Sequence, residues 1–194
     1  MLRPSILRLV AVTLATALSA AVLAAVAPPA TAAPAVPASA QDASAYIAHI
    51  LETKGLGGIP QEATLTLTRK GASGEVSAAE TITCSASSTV FRRSSGGWWS
   101  VYAQGRTRCP VVMDDVRAQT SLWEWNPFVG RYLQVIIGSL AYGPGQENIS
   151  TTPEFTCATT ARNYVALTYH SAYVGDAAGS TVTQSLPVPC SFVM

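Results

Sequence analysis

A mainly β chain is predicted by three observations: apolar and polar residues alternating with a period of two, four cysteines, and Gly, Pro, Asn and Ser clusters that punctuate the chain at short intervals. The expected architecture is an antiparallel sandwich or barrel of about seven to eight strands, with one short N-terminal helix and disulfide bracing.

The N-terminal segment reads as an address rather than as fold. Arg3 and Arg8 precede an uncharged apolar run from Leu9 to Ala27, and Pro28-Pro29 is followed by Ala30-Thr31-Ala32. A basic head, an apolar core and small residues before Ala33 predict a secretory signal peptide over residues 1–32. The run is mostly alanine and lacks a basic stop-transfer flank, so no stable membrane span is expected after cleavage. Of 194 residues about 162 would remain, enough for one domain with one core. Arg3 and Arg8 leave with the signal, so ten of the 12 basic residues face 11 acidic ones, and a nucleic-acid partner is not expected.

Residues 33–41 are small and proline-bearing and read as a flexible leader, with a single domain over 42–194. Asp42-Ala43-Ser44-Ala45 offers a helix cap. Tyr46, Ile47, Ile50 and Leu51 recur at helical spacing, and Gly55 suits the C-terminus. The period then changes to two in Ala63-Thr64-Leu65-Thr66-Leu67-Thr68. Further strands are expected over 75–84, 88–93, 97–105, 114–125, 131–138, 163–173 and 180–193. The separators include Asn126-Pro127 and Gly143-Pro144-Gly145, which read as turn or loop.

Cys84, Cys109, Cys157 and Cys190 allow three pairings, which sequence alone does not choose between. Cys84 with Cys109 and Cys157 with Cys190 is preferred, because each bridge would staple neighbouring strands. No Cys-x-x-Cys pair accompanies a histidine, so no metal site and no cofactor is expected. Only His49 and His170 supply imidazoles, and no Gly-x-Ser-x-Gly elbow occurs, so no catalytic residues are assigned. Asp114 and Asp115 are adjacent, so on a strand they face opposite ways and read as a solvated turn or strand entry rather than a catalytic pair.

Aromatic density is the unusual local feature. Trp98, Trp99 and Tyr102 share one strand, and Trp123, Trp125, Phe128 and Tyr132 surround the next hairpin. Alternation sends Trp98, Ser100 and Tyr102 to one face and Trp99, Val101 and Ala103 to the core. Trp98, Tyr102, Trp123 and Trp125 are therefore the candidate ligand-binding residues, able to stack on sugars or on a partner's apolar groups. The competing expectation is that all four tryptophans fill the core.

Two resemblances extend this reading. Val101-Tyr102-Ala103-Gln104-Gly105-Arg106-Thr107-Arg108-Cys109, then Leu122-Trp123-Glu124-Trp125 and single cysteines at 157 and 190, resembles a group of small secreted actinobacterial β-rich proteins of unassigned function, over residues 97–192. That resemblance implies export, disulfides and a bacterial source, and no catalytic residues. Separately, Leu65-Thr66-Leu67-Thr68, Thr81-Ile82-Thr83-Cys84 and Cys109-Pro110-Val111-Val112-Met113-Asp114-Asp115-Val116 are similar to the subtilisin-inhibitor-like family. This second resemblance implies a protease-facing loop of Cys109, Pro110, Val111 and Val112, with Val111 at the reactive position. That family's close cysteine pair around a Gly-x-His-Pro segment is absent here.

The expected function is a secreted, extracellular, non-enzymatic binding domain whose partner is an extracellular protein or glycan. A serine-protease inhibitor and a secreted hydrolase are the alternatives.

Overall fold

The computed structural model describes residues 39–69, 80–95 and 97–191. The expected signal peptide, most of the expected leader and residues 75–79 of the strand expected over 75–84 lie outside the described residues, while residues 80–84 of that strand and the one expected over 88–93 form a single strand. Helix α1 (Ala40–Lys54) starts earlier than the sequence suggested. Ser39 is the cap: its hydroxyl accepts from the Asp42 N–H at 3.2 Å, and the Asp42 carboxylate accepts from the Ser39 N–H at 3.1 Å. Asp42 is thus the third helical residue of a reciprocal capping pair, not the cap itself. Gly55, at φ 65°, ends the helix by donating to the Leu51 carbonyl.

Among the described residues nine strands follow: β1 (Glu62–Arg69), β2 (Glu80–Ser95), β3 (Trp98–Asn126), β4 (Arg131–Ile137), β5 (Ala141–Thr151), β6 (Phe155–Thr156), β7 (Arg162–Val174), β8 (Ala177–Gln184) and β9 (Val188–Cys190). All pairings are antiparallel, in the order β1-β2-β3-β7-β8. The expectation of a mainly β, disulfide-braced barrel or sandwich with one helix holds. The two ends of the order meet: a Cβ on Gly179 of β8 would lie 3.5 Å from the Thr66 carbonyl oxygen of β1. The sheet is therefore a nearly closed barrel.

β3 organises everything else. Its first part pairs with β2 on one edge and with β5 and β6 on the other; its second part pairs with β7 and with β4 and β5. The strands expected over 97–105 and 114–125 are one continuous strand. Pro110 occupies a bulge, where the register with β5 jumps from Arg108↔Glu147 to Met113↔Gly145, so its missing N–H costs the ladder nothing. Gly143-Pro144-Gly145, whose composition suits a turn or loop, lies inside β5. Gly143 and Gly145 adopt φ 147° and 145°, which carries the strand through those register jumps. The segment expected as one strand over 180–193 is divided between β8 and β9.

The barrel interior has two apolar ends and a polar waist. Leu65, Leu67, Ile82, Met113 and Val116 pack around the Cys84–Cys109 disulfide at one end. Val90, Val101, Leu122 and Tyr164 surround Cys157–Cys190 at the other. The preferred pairing is thus the one formed, with Cys84 and Cys109 directly opposite on β2 and β3. A second apolar layer lies outside the barrel, where Ala43 and Ile47 of α1 cover Val165, Leu167 and Tyr169 of β7.

Candidate functional site

The four aromatic candidates fall in two places, at opposite ends of β3. At its start, Val101 and Ala103 are fully buried and Trp98 is 58% exposed, as alternation predicts, but Trp99 is only half-buried, with the Arg92 guanidinium 4.6 Å over its ring. Tyr102 faces outward beside Phe91, its partner in the β2–β3 register, and the rings stack with centroids 5.0 Å apart and planes 19° apart. Between this stack and Trp98 lie Arg93 and Ser100, also register partners. Both are held by Glu154: Arg93 Nη1 donates to Oε1 and Ser100 Oγ to Oε2, each at 3.0 Å. The outcome is a strip on the outer face of the barrel, aromatic at both ends and polar at its centre. Four residues at about 3.4 Å each separate Tyr102 from Trp98, so the strip is about 14 Å long. Phe91, Arg93 and Glu154 were not singled out from sequence, because only the strand register brings them beside Trp98 and Tyr102.

Trp123 is a correction. It is buried beneath α1, and its indole N–H donates to Ser121 Oγ at 2.8 Å, which satisfies the polar atom internally. Trp125, two residues on, is 37% exposed and meets Tyr132 edge-on with centroids 5.2 Å apart. It opens onto a groove of about 540 Å³ between α1 and the β3–β4 hairpin, walled by Leu51, Leu56, Tyr132 and Leu133 and floored by Trp123. Partial burial raises the Tyr132 phenol above its ordinary pKa. The expectation that every tryptophan is core therefore fails at Trp98 and Trp125.

His170 sits in the polar waist with no solvent exposure. Its Nδ1 lies 2.8 Å from Thr107 Oγ1 and its Nε2 2.8 Å from Thr183 Oγ1. From there the contacts run through Ser88 (2.6 Å), Thr168 (2.8 Å) and Thr120 (3.1 Å) to the Ser150 carbonyl, while Thr107 donates to the Arg117 carbonyl. Gly105 makes room for this chain, since a Cβ there would lie 2.2 Å from Thr168 Cγ2 and 2.4 Å from Thr120 Oγ1.

Two effects oppose each other at the imidazole. Five hydroxyl protons and one imidazole proton serve eight contacts, one of them from Ser88 Oγ to the Thr183 carbonyl at 3.2 Å, so a second imidazole proton would complete one more hydrogen bond, worth about 1 kcal/mol. Against that, every partner in the chain is a neutral hydroxyl or carbonyl, and burying a charge without a counter-ion costs several kcal/mol. Desolvation wins, and burial pushes the His170 pKa down to about 3. A neutral, solvent-free imidazole is equipped to hold strands together rather than to exchange protons with a substrate. His49 is exposed on α1.

Asp114 and Asp115 act separately, Asp114 on the β7–β8 turn and Asp115 on β5. Asp114 accepts from the Gly175 N–H at 2.6 Å; Asp115 accepts from the Gly143 N–H at 2.8 Å and pairs with Arg117. Asp115 is buried rather than solvated, and these two partners compensate its charge. Among the described residues, no cluster of three or more metal-ligating side chains occurs, and no helix is long and apolar enough to cross a membrane.

The Cys109-Pro110-Val111-Val112 segment forms the bulged corner of β3. Cys109 is buried in its disulfide, while Val111 and Val112 are exposed, Val112 to 68%. The Pro110 carbonyl accepts from Gln146 Nε2 at 3.4 Å, which ties the bulge to β5. No family model, no curated protein and no solved structure matches this chain.

Proposed function

We propose that this protein is an exported, non-enzymatic binding domain that takes an extracellular glycan along the strip from Trp98 to the Phe91/Tyr102 stack. The observation that carries the proposal is the exposure of Trp98 in line with two further aromatic rings, on a strand whose opposite face already supplies the core. An indole that stays more than half exposed forgoes much of its burial energy. Sugar rings offer apolar faces for stacking and hydroxyls at the rim. Arg93, Ser100 and Glu154 supply donors and acceptors between the aromatic ends. The buried imidazole does not favour the hydrolase reading, because its nitrogens are occupied by threonine hydroxyls.

Retention on insoluble polysaccharides is the test. Wild-type protein should be retained, and Trp98→Ala with Tyr102→Ala should weaken retention at least about tenfold while leaving the circular dichroism spectrum unchanged. Equal retention of both proteins, or none by either across a glycan panel, would reject the strip as a glycan site.

The protease-inhibitor reading keeps one supporting feature: Val111 and Val112 project from a corner braced by Cys84–Cys109 and tied to β5, and a pre-ordered loop loses little entropy on docking. Stoichiometric inhibition of a subtilisin-type protease, lost in Val111→Pro, would establish it; no inhibition at micromolar excess would end it.

A further inference from the structure

The β3–β4 hairpin turns through Asn126-Pro127-Phe128-Val129-Gly130 and carries the most exposed large apolar side chain among the described residues, Phe128 at 87%. The tip is held in place. Asn126 Oδ1 accepts from the N–H of Phe128 at 2.9 Å and of Val129 at 3.4 Å, and the Gly130 N–H closes on the Asn126 carbonyl at 2.9 Å. Gly130, at φ 66°, supplies a conformation that side chains disfavour. A turn built to hold a phenyl ring in water gains nothing for the fold from that ring.

Behind the tip lies the groove walled by Leu51, Leu56, Trp125 and Tyr132, with volume to spare for a phenyl ring. Its lining also carries one charge of each sign, Glu52 and Arg131, and among the described residues neither forms an ion pair. A protruding apolar tip beside an apolar groove, with an unpaired anion and an unpaired cation, is complementary to its own copy. About a two-fold axis each contact occurs twice, so tip meets groove and acid meets base in both directions.

We propose that two copies of this chain form a symmetric dimer, in which Phe128 of each fills the Trp125–Leu51 groove of the other and Glu52 of each pairs with Arg131 of the other. The charges are what select a second copy as the occupant. An anionic lipid surface would accept the aromatic tip and Arg131 but repel Glu52, and an uncharged apolar ligand would leave both charges unpaired. Phe128 would then be a buried anchor ringed by charge pairs, the usual anatomy of a protein interface.

Sedimentation velocity on the mature chain, from about 1 to 200 μM, tests the proposal. Wild-type protein should show a concentration-dependent dimer. Phe128→Ser should weaken association at least about 30-fold, as for a central anchor. Glu52→Arg and Arg131→Glu should each weaken it about tenfold, and the double swap should recover affinity to within about threefold of wild type. A chain monomeric at 200 μM, a dimer indifferent to Phe128→Ser, or a double swap without recovery would each overturn the proposal. So would a monomer that floats with phosphatidylglycerol vesicles in a Phe128-dependent way, which would make a lipid surface the occupant instead. All three residues are exposed, so a misfolded variant is not expected, and the circular dichroism spectrum checks this.

Discussion

Acid should weaken this fold through His170, by an amount set by its burial. The folded-state pKa is about 3 and the unfolded-state value about 6.5, so between these limits the unfolded chain binds more protons than the native one. Stability therefore rises with pH across that window: the contribution is full above about pH 6.5 and is lost as pH falls towards 3. Three and a half pH units correspond to about 5 kcal/mol, a large part of the stability of a typical domain. The informative comparison is with His170→Gln, whose amide can both donate and accept but does not titrate. At pH 7 the variant should be less stable by about 2 kcal/mol for an imperfectly satisfied buried site. By pH 3 the order should reverse by roughly 3 kcal/mol, because the variant is spared the cost of the imidazole. Urea denaturation followed by circular dichroism at pH 7, 5 and 3 measures both curves, and carboxylates common to both proteins drop out of the difference. Parallel curves across the range would refute the reasoning, as would a native-state resonance assigned to the His170 imidazole that titrates near pH 6.5.

Other perturbations have equally definite expectations. Gly105→Ala drives a methyl group into Thr168 and Thr120 and should cost about 3 kcal/mol in chemical denaturation, whereas Gly57→Ala, with open space around its Cβ, should cost far less. Replacing either cysteine pair by serine opens a cross-link spanning 25 or 33 residues, and chain entropy predicts a loss of about 3.5 kcal/mol for each. Ser39→Ala removes the hydroxyl that accepts the Asp42 N–H and should lower stability by about 1 kcal/mol, with Ser39→Asp restoring most of it. Trp98→Ala should change stability by under about 0.5 kcal/mol, since the ring is largely exposed; a larger loss would mean that the indole serves the fold.

Residues with local consequences were the legible ones. Leu65 and Leu67 alternate with threonines, and they form a strand with that face inward because a period of two admits little else. Ile47 and its neighbours repeat at helical spacing, and they form α1. Misreadings gathered where a local signal was answered by a distant partner. Pro110 and the glycines of β5 look like strand breakers, and they are tolerated because the two strands shift register against each other at those points. Trp123 and Trp125 are alike in sequence and even share a strand face, yet one is buried against α1 and the other is partly exposed at the groove, which the docking of the helix on the sheet decides.

The sequence by itself determined the class of the fold, the helix, the cysteine inventory and which face of Trp98–Ala103 is apolar, since each depends on residues within a few positions of one another. Only the tertiary structure decided that one long strand unites the sheet, that hydroxyls from β2, β3 and β8 join that of Thr168 on β7 in one chain with His170, that Phe91 stacks on Tyr102, and that a turn holds Phe128 beside a groove. Those arrangements depend on register and closure. Both are set by pairings between residues tens of positions apart, whose energies are collective and leave little trace in any local stretch of chain.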